Sequence, residues 1–250
     1  MYQHERINEI LKIVKENHYV TVDHLVKQIR YSPASIRRDL TILEKQGLVT
    51  RSWGGVTYKD PNVSPYRFRQ HSMKIAKNAI AKRAAALVKN GDVIFIDGSS
   101  TTQYMGRYLL EKKGITVVTC NMMLADLLSE HGVKTYCTGG MIVEHPGILG
   151  GPLALEMLSK FNFDIAFFSS TAFDMKGQIL SLSERGATGI KSYREHSRTL
   201  AYLCGSDKFG AESSFVSLTL DKVDYFISDA EITSELKKKY VNTHFLSTNE

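Results

Sequence analysis

The chain has 250 residues, enough for one large domain or for a small domain joined to a medium one. Its residues are 43% hydrophobic and 23% charged, and its net charge is +6, which is ordinary for a soluble protein and compatible with a polyanionic partner. Cys120, Cys137 and Cys204 are too few and too scattered for a disulfide framework or a zinc site, and read as small buried reduced thiols. The polar start carries no signal peptide, and no run reaches the roughly 18 apolar residues of a membrane span. A cytoplasmic protein with no membrane partner is expected.

Ile7, Ile10, Leu11 and Val14 recur at helical spacing and predict a first helix over 4–17. Thr21 is placed to cap a second helix that turns Leu25 and Ile29 inward. Ser32 caps a third, and Pro33 takes its first position, where a missing N–H costs nothing. Ile36, Leu40 and Leu43 form its apolar stripe, and Gly47 ends it in a left-handed conformation. Two β-prone runs, 48–52 and 56–58, flank Trp53-Gly54-Gly55 and predict a hairpin. Three helices and a hairpin are the order of a winged helix-turn-helix.

Residues 59–65 hold two prolines and no periodicity, and read as a linker. One long helix is predicted over 66–89, ended by Asn90-Gly91. Beyond it, short apolar runs at 93–96, 116–119, 135–137, 165–168, 200–203 and 225–227 alternate with helical stretches such as 103–110 and 122–130. That alternation predicts an α/β fold with a mostly parallel sheet covered on both faces. The expected organisation is a DNA-binding head over 1–58, a linker over 59–65 and a ligand-sensing domain over 66–250.

On the third helix, Arg38 lies almost opposite the apolar stripe. Ala34 lies near it, Ser35 and Thr41 to either side, and Arg37 flanks the stripe. A small-residue face with outward arginines can enter the major groove and set guanidinium forks on guanine edges or phosphates. Ser32 and Ser35, at the helix start, can hold a phosphate. Arg51 and Trp53 on the wing suit phosphate or minor-groove contact. Two adjacent arginines can also be a solvated face; the cap, the glycine stop and the basic wing together favour DNA.

Ser32-Pro33-Ala34-Ser35-Ile36-Arg37-Arg38-Asp39-Leu40, then Leu43-Glu44, Gly47, Arg51 and Gly54-Gly55, resemble the signature of the DeoR family of bacterial regulators. The family usually has threonine where Ser35 stands. The resemblance implies sequence-specific binding of double-stranded operator DNA, usually repression, by a homo-oligomer.

Asp97-Gly98-Ser99-Ser100-Thr101-Thr102 lies between a predicted strand and a predicted helix, a turn suited to phosphate. Thr138-Gly139-Gly140 and Gly205-Ser206-Asp207-Lys208 follow other strands, and Asp164 begins one. Loops beyond the carboxyl ends of parallel strands gather on one rim, where such sheets bind ligands. The family's sensor is similar to ribose-5-phosphate isomerase and binds phosphorylated sugars or related metabolites. The resemblance assigns Asp97, Ser99, Ser100, Thr101, Thr102, Thr138, Gly139, Gly140 and Lys208 to that pocket, and suggests roles nearby for Glu184 and Lys191. Three departures stand out: Cys120 between Thr119 and Asn121, Ser169-Ser170-Thr171 in a region that normally contains glycine, and Gly98 slightly early.

The expected function is therefore a transcriptional regulator, a repressor of carbohydrate-metabolism genes controlled by a phosphorylated effector. The alternative is a sugar-phosphate isomerase-like enzyme carrying a DNA-binding head. It would need a carboxylate base and a cation. Asp97, Asp164, Asp174 and Lys208 are available, but their spacing does not demand catalysis, and Phe167, Phe168 and Phe173 suggest binding instead. A constitutive architectural DNA-binding protein would waste the larger domain. No catalytic residue, metal or cofactor is expected.

Overall fold

The computed structural model describes residues 3–17, 19–52, 55–58 and 66–248. Two units emerge, Met1–Phe68 and Arg69–Glu250. Trp53, Gly54 and the expected linker at 59–65 lie outside the described residues.

In the first unit, α1 (Gln3–Asn17) buries Ile10, Ile13 and Val14. β1 (Tyr19–Thr21) runs into α2 (Val22–Ile29), where the Thr21 hydroxyl accepts from the His24 amide. α3 (Pro33–Lys45) starts under the Ser32 cap, whose hydroxyl accepts from the Ser35 amide at 3.2 Å. Gly47 follows α3 with φ +75°, the conformation its sequence position called for. β2 (Val49–Ser52) and β3 (Gly55–Tyr58) form the hairpin, and β1 joins it in the order β1-β3-β2. Ile10, Val14, Leu25, Ile36, Leu40, Leu43 and Val56 are wholly buried in its core. Each such side chain contributes about 1.5–3 kcal/mol relative to exposure.

The second unit opens differently from the predicted single helix. α4 (Tyr66–Arg69), at the boundary, is separated by a turn from α5 (Lys74–Ala85). Then come β4 (Val93–Ile96), a 3-10 segment (Thr102–Met105), α6 (Gly106–Leu109), β5 (Thr116–Thr119), α7 (Met122–Glu130) and β6 (Lys134–Cys137). A hairpin of β7 (Met141–Glu144) and β8 (Ile148–Gly150) leads to α8 (Pro152–Leu158) and β9 (Phe163–Phe168). The chain continues with β10 (Ala172–Phe173), β11 (Gln178–Ser181), α9 (Glu184–Glu195), β12 (Ser197–Cys204) and β13 (Phe215–Thr219). β14 (Tyr225–Ser228), α10 (Ser234–Lys239) and β15 (His244–Ser247) complete it.

Seven strands form one sheet in the order β15-β14-β12-β9-β4-β5-β6, and every neighbouring pair is parallel. Period-two alternation divides their side chains between two cores. Ile94, Ile96, Val117, Phe167, Leu203 and Ile227 face one side, where α5 and α7 add Ile80, Ala84, Leu124 and Leu128. Phe95, Val118, Ala166, Phe168, Leu200, Tyr202 and Phe226 face the other. Phe167, Phe168 and Phe173, read from sequence as a sign of binding, are fully buried core residues. Cys120 and Cys204 are buried as expected, but Cys137 is exposed because β6 is the sheet's edge strand. Small antiparallel sheets, β10-β11-β13 and β7-β8, lie outside the main one.

Candidate functional site

On α3, Ile36, Asp39, Leu40 and Leu43 point inward while Arg37 and Arg38 are exposed. The Ser32 and Ser35 hydroxyls stand 3.0 Å apart at the helix start. Arg51 on β2 is held against α3. Its amide donates to Glu44 Oε1 at 3.1 Å, and its Nη1 donates to the Thr41 hydroxyl at 3.1 Å. Arg51 thus lies beside the exposed side of α3.

Asp39 escaped the sequence reading as a structural residue. It is 0% exposed, and its Oδ2 receives Arg6 Nε at 2.5 Å. Oδ1 receives Arg6 Nη2 and Gln3 Nε2, each at 3.2 Å. The Arg6 guanidinium also lies 4.5 Å over the Tyr31 ring. This buried pair fastens α3 to α1. The signal was present, since Asp39 stands three residues after Ile36, within the apolar stripe.

In the second unit, strand order reverses between β4 and β9, and parallel sheets leave a crevice at such a point. The turn after β4 opens there. Asp97 is 6% exposed. Its Oδ1 accepts from the Ser99 amide at 3.0 Å and the Thr102 hydroxyl at 2.6 Å, and its Oδ2 accepts from the Ser169 amide at 3.1 Å. Burial pushes this carboxyl above its ordinary range, while the bonds from Thr102, Ser169 and Ser99 pull the other way. Asp97 therefore shapes the turn and ties it to β9. The Thr102 hydroxyl is turned inward, leaving Ser99, Ser100 and Thr101 as the turn's other hydroxyls. The helix predicted over 103–110 is a 3-10 segment followed by one α-turn, so its dipole contributes little.

The missing charge comes from Lys77, which the sequence reading did not single out. It is 4% exposed, and its ammonium donates to Ser100 Oγ at 3.1 Å, Ser72 Oγ at 3.3 Å and the Arg69 carbonyl. Burial, and then the nearby charge of Lys208, lower its pKa to about 8, with Asp207 opposing. Lys77 thus faces a hydroxyl-rich turn, with the charge of Lys208 near it. Lys77 was findable, because it lies on α5's inward stripe with Ile80, Ala81 and Ala84.

Lys208 is half-buried, in a loop after β12 fixed by the Ser206 amide and hydroxyl on Asp229, at 2.7 and 2.8 Å. Thr138-Gly139-Gly140 follows β6 on the same edge of the sheet, two strands from β4. Gly139 and Gly140 have φ +67° and +94°, and a Cβ on Gly140 would meet the Gly150 carbonyl at 2.7 Å. Asp164 is corrected: it sits at the amino end of β9, away from the rim, accepting from the Val93 amide and Arg198. Asp174 is taken up by a turn, accepting from the Lys176 and Gln178 amides. Glu184 and Lys191 are exposed on α9, where Glu184 follows the Ser183 cap as a helix-start charge. The Ser170 hydroxyl pairs with Tyr202 at 2.6 Å, and Asn121 caps α7. Cys120 packs beneath Gly98, where a Cβ would lie 3.2 Å from its sulfur and 2.5 Å from Ile148.

A winged helical head with an arginine face, joined to a parallel α/β unit with a cationic rim, is the build of a ligand-responsive transcriptional regulator. The chain belongs to the DeoR family: the DeoR-like helix-turn-helix domain matches residues 6–62 and the DeoR C terminal sensor domain matches residues 73–230. The glycerol-3-phosphate regulon repressor of Escherichia coli K12 is 28% identical over 92% of each chain. The L-fucose operon activator of Haemophilus influenzae is 31% identical over 96% of each. A solved D-ribose-5-phosphate isomerase in complex with phospho-erythronic acid aligns over 54% of each chain at 18% identity and TM-score 0.41. The chain is thus a DNA-binding transcriptional regulator.

Proposed function

We propose that this regulator is a repressor of carbohydrate-metabolism genes, released or engaged by a phosphorylated sugar or related metabolite on the Ser99–Thr102 turn. The observation that carries the reading is the buried Lys77 ammonium on Ser100, with Lys208 close enough to lower its pKa. Such a pair suits a dianion. Thr138, Gly139 and Gly140 complete the rim in this reading, and Asp97 acts on the ligand through the turn it shapes. In this reading Ser32, Ser35, Arg37, Arg38, Arg51 and Trp53 meet operator DNA. The Escherichia coli relative is named for a phosphorylated compound. Calorimetric titration of glycerol 3-phosphate against glycerol, and ribose 5-phosphate against ribose, tests the phosphate requirement. Equal affinity of a free polyol or sugar and its phosphate, or an unaltered Ser100→Ala/Lys208→Ala double variant, rejects the site.

Residues 59–65 act as the linker between head and sensor, which cleavage confined to 59–65 in limited proteolysis would bear out. Two heads on a homo-oligomer, a dimer or larger, read a repeated operator site. Light scattering of the full chain tests this, and a monomer at micromolar concentration rejects it. Among the described residues no helix is long and apolar enough to cross a membrane, and no cluster of His, Cys, Asp and Glu could hold a metal ion. A cytoplasmic location fits a partner that is operator DNA.

A further inference from the structure

The first residues of the second unit have no reason in their own sequence to stop being helical. No glycine or proline occurs from Tyr66 to Asn90. The chain nevertheless breaks between α4 and α5, and Met73 takes φ +50° with no side-chain cap. A methionine rarely adopts that region, because its Cβ crowds the following carbonyl. The break is therefore held from outside. Tyr104 Oη donates to the Gln70 carbonyl at 2.7 Å, and Arg69 Nη2 reaches Glu144 Oε2 on β7 at 2.6 Å. Lys77 adds ties to the Arg69 carbonyl and the Ser72 hydroxyl, and that hydroxyl in turn donates to the Arg69 carbonyl at 3.0 Å.

An ammonium has three protons. Those of Lys77 have three acceptors: two on the break and one, Ser100, on the turn. An anion on that turn can reach Lys77 only by displacing one of them. A charged oxygen is the stronger acceptor, so it outcompetes a neutral carbonyl or hydroxyl. Ser100 can keep its bond and donate its own proton to the same anion, whereas the Arg69 carbonyl has no proton to give. The break is the partner that loses.

We propose that Gln70–Met73 is the effector-operated joint of this regulator: an anion on the Ser99–Thr102 turn draws Lys77 off the break and loosens the segment through which the chain enters the sensor. This rests on the reading that the turn binds a phosphorylated ligand, but the joint can be tested without one.

The experiment is amide exchange of the full chain, followed by mass spectrometry, beside thermal unfolding. In Lys77→Met without ligand, the Gln70–Met73 amides should exchange about tenfold faster than in wild type. Inorganic phosphate should accelerate the same amides in wild type while raising Tm. In Met73→Gly, whose backbone adopts the break without crowding, phosphate should still raise Tm but accelerate exchange less than about twofold. Unchanged exchange in Lys77→Met overturns the joint, whatever phosphate does. A raised Tm with unchanged exchange in wild type overturns the joint and leaves the effector site standing. Loosening in Lys77→Met, with no Tm response of the wild type to phosphate, supports the joint and overturns the effector site. If Lys77→Met does not fold, Lys77→Gln, which removes the charge but keeps a polar end, is read in the same way: faster exchange supports the joint, and unchanged exchange overturns it.

Discussion

Replacing Arg6 with alanine removes the main partner of a carboxylate that has no exposure of its own. Asp39 would keep only Gln3 Nε2 at 3.2 Å, losing the Arg6 bonds at 2.5 and 3.2 Å. Breaking a buried ion pair from one side costs about 3–5 kcal/mol. The Arg6 side chain is 12% exposed, so water can enter the space it leaves, and the lower end, about 3 kcal/mol, is expected. A head of this size has a total stability of roughly 3–9 kcal/mol at the usual 0.05–0.15 kcal/mol per residue. Urea unfolding of the full chain should therefore show an early transition for the head, with operator binding lost at the same denaturant concentration. Arg6→Met combined with Asp39→Leu removes both charges and should restore most of the loss, because well-packed apolar replacements of buried pairs are often neutral. A loss below about 1 kcal/mol in Arg6→Ala, or a double variant no more stable than the single one, would refute the argument that burial makes this pair matter.

Lys77 gives a pH signature. Its pKa of about 8 lies below the ordinary 10.5, so the folded chain holds fewer protons than the unfolded chain between those values. Lys77 therefore costs stability below pH 8, and the cost fades as pH rises toward 10.5. Anion affinity follows the opposite course: the ammonium is lost above pH 8, and a phosphorylated ligand should bind up to about tenfold more weakly at pH 9 than at pH 7, with proton uptake on binding. Calorimetry in buffers of different ionisation enthalpy measures both, and a pH-independent affinity would remove Lys77 from the site. Arg38→Ala should cost about 1–3 kcal/mol of specific operator binding and relax preference at one base pair, while Arg51→Ala should weaken specific and random duplexes alike in gel-shift titrations. Gly140→Ala combines φ +94° with a 2.7 Å clash on a backbone carbonyl, and should lower stability by about 1–3 kcal/mol in thermal unfolding.

Much of this was legible locally. The Ser32 cap, Pro33, the Gly47 stop and the inner strands each rest on residues adjacent in the chain. What escaped was set by distance. Asp39 and Lys77 are charges on apolar stripes, and a periodicity reading sends charges to solvent unless it knows the partner across the core. The break before α5 is invisible because Tyr104 and Lys77 enforce it, not Gly or Pro. Asp164 was grouped with the rim although a residue that begins a parallel strand lies at the sheet's opposite edge. Cys137 looked buried because a strand does not announce that it is the last in its sheet. β1, at 3 residues, is too short to display a period, and β15 opens on an exposed His244 rather than an apolar run.

The reversal of strand order has a consequence for synthesis. β4, β5 and β6 are neighbours both in the chain and in the sheet, and can assemble as soon as they emerge. The other edge of β4 waits for β9, and the bond that closes the turn joins Asp97 to a residue 72 positions away. Until β9 arrives, Val93–Ile96 presents an unpaired apolar edge, the kind of surface that nascent chains aggregate through. The rim is thus a late product of folding. If a metabolite is held there as proposed, it binds only a sensor whose two halves have met, and it stabilises the finished domain without sheltering any fragment of it.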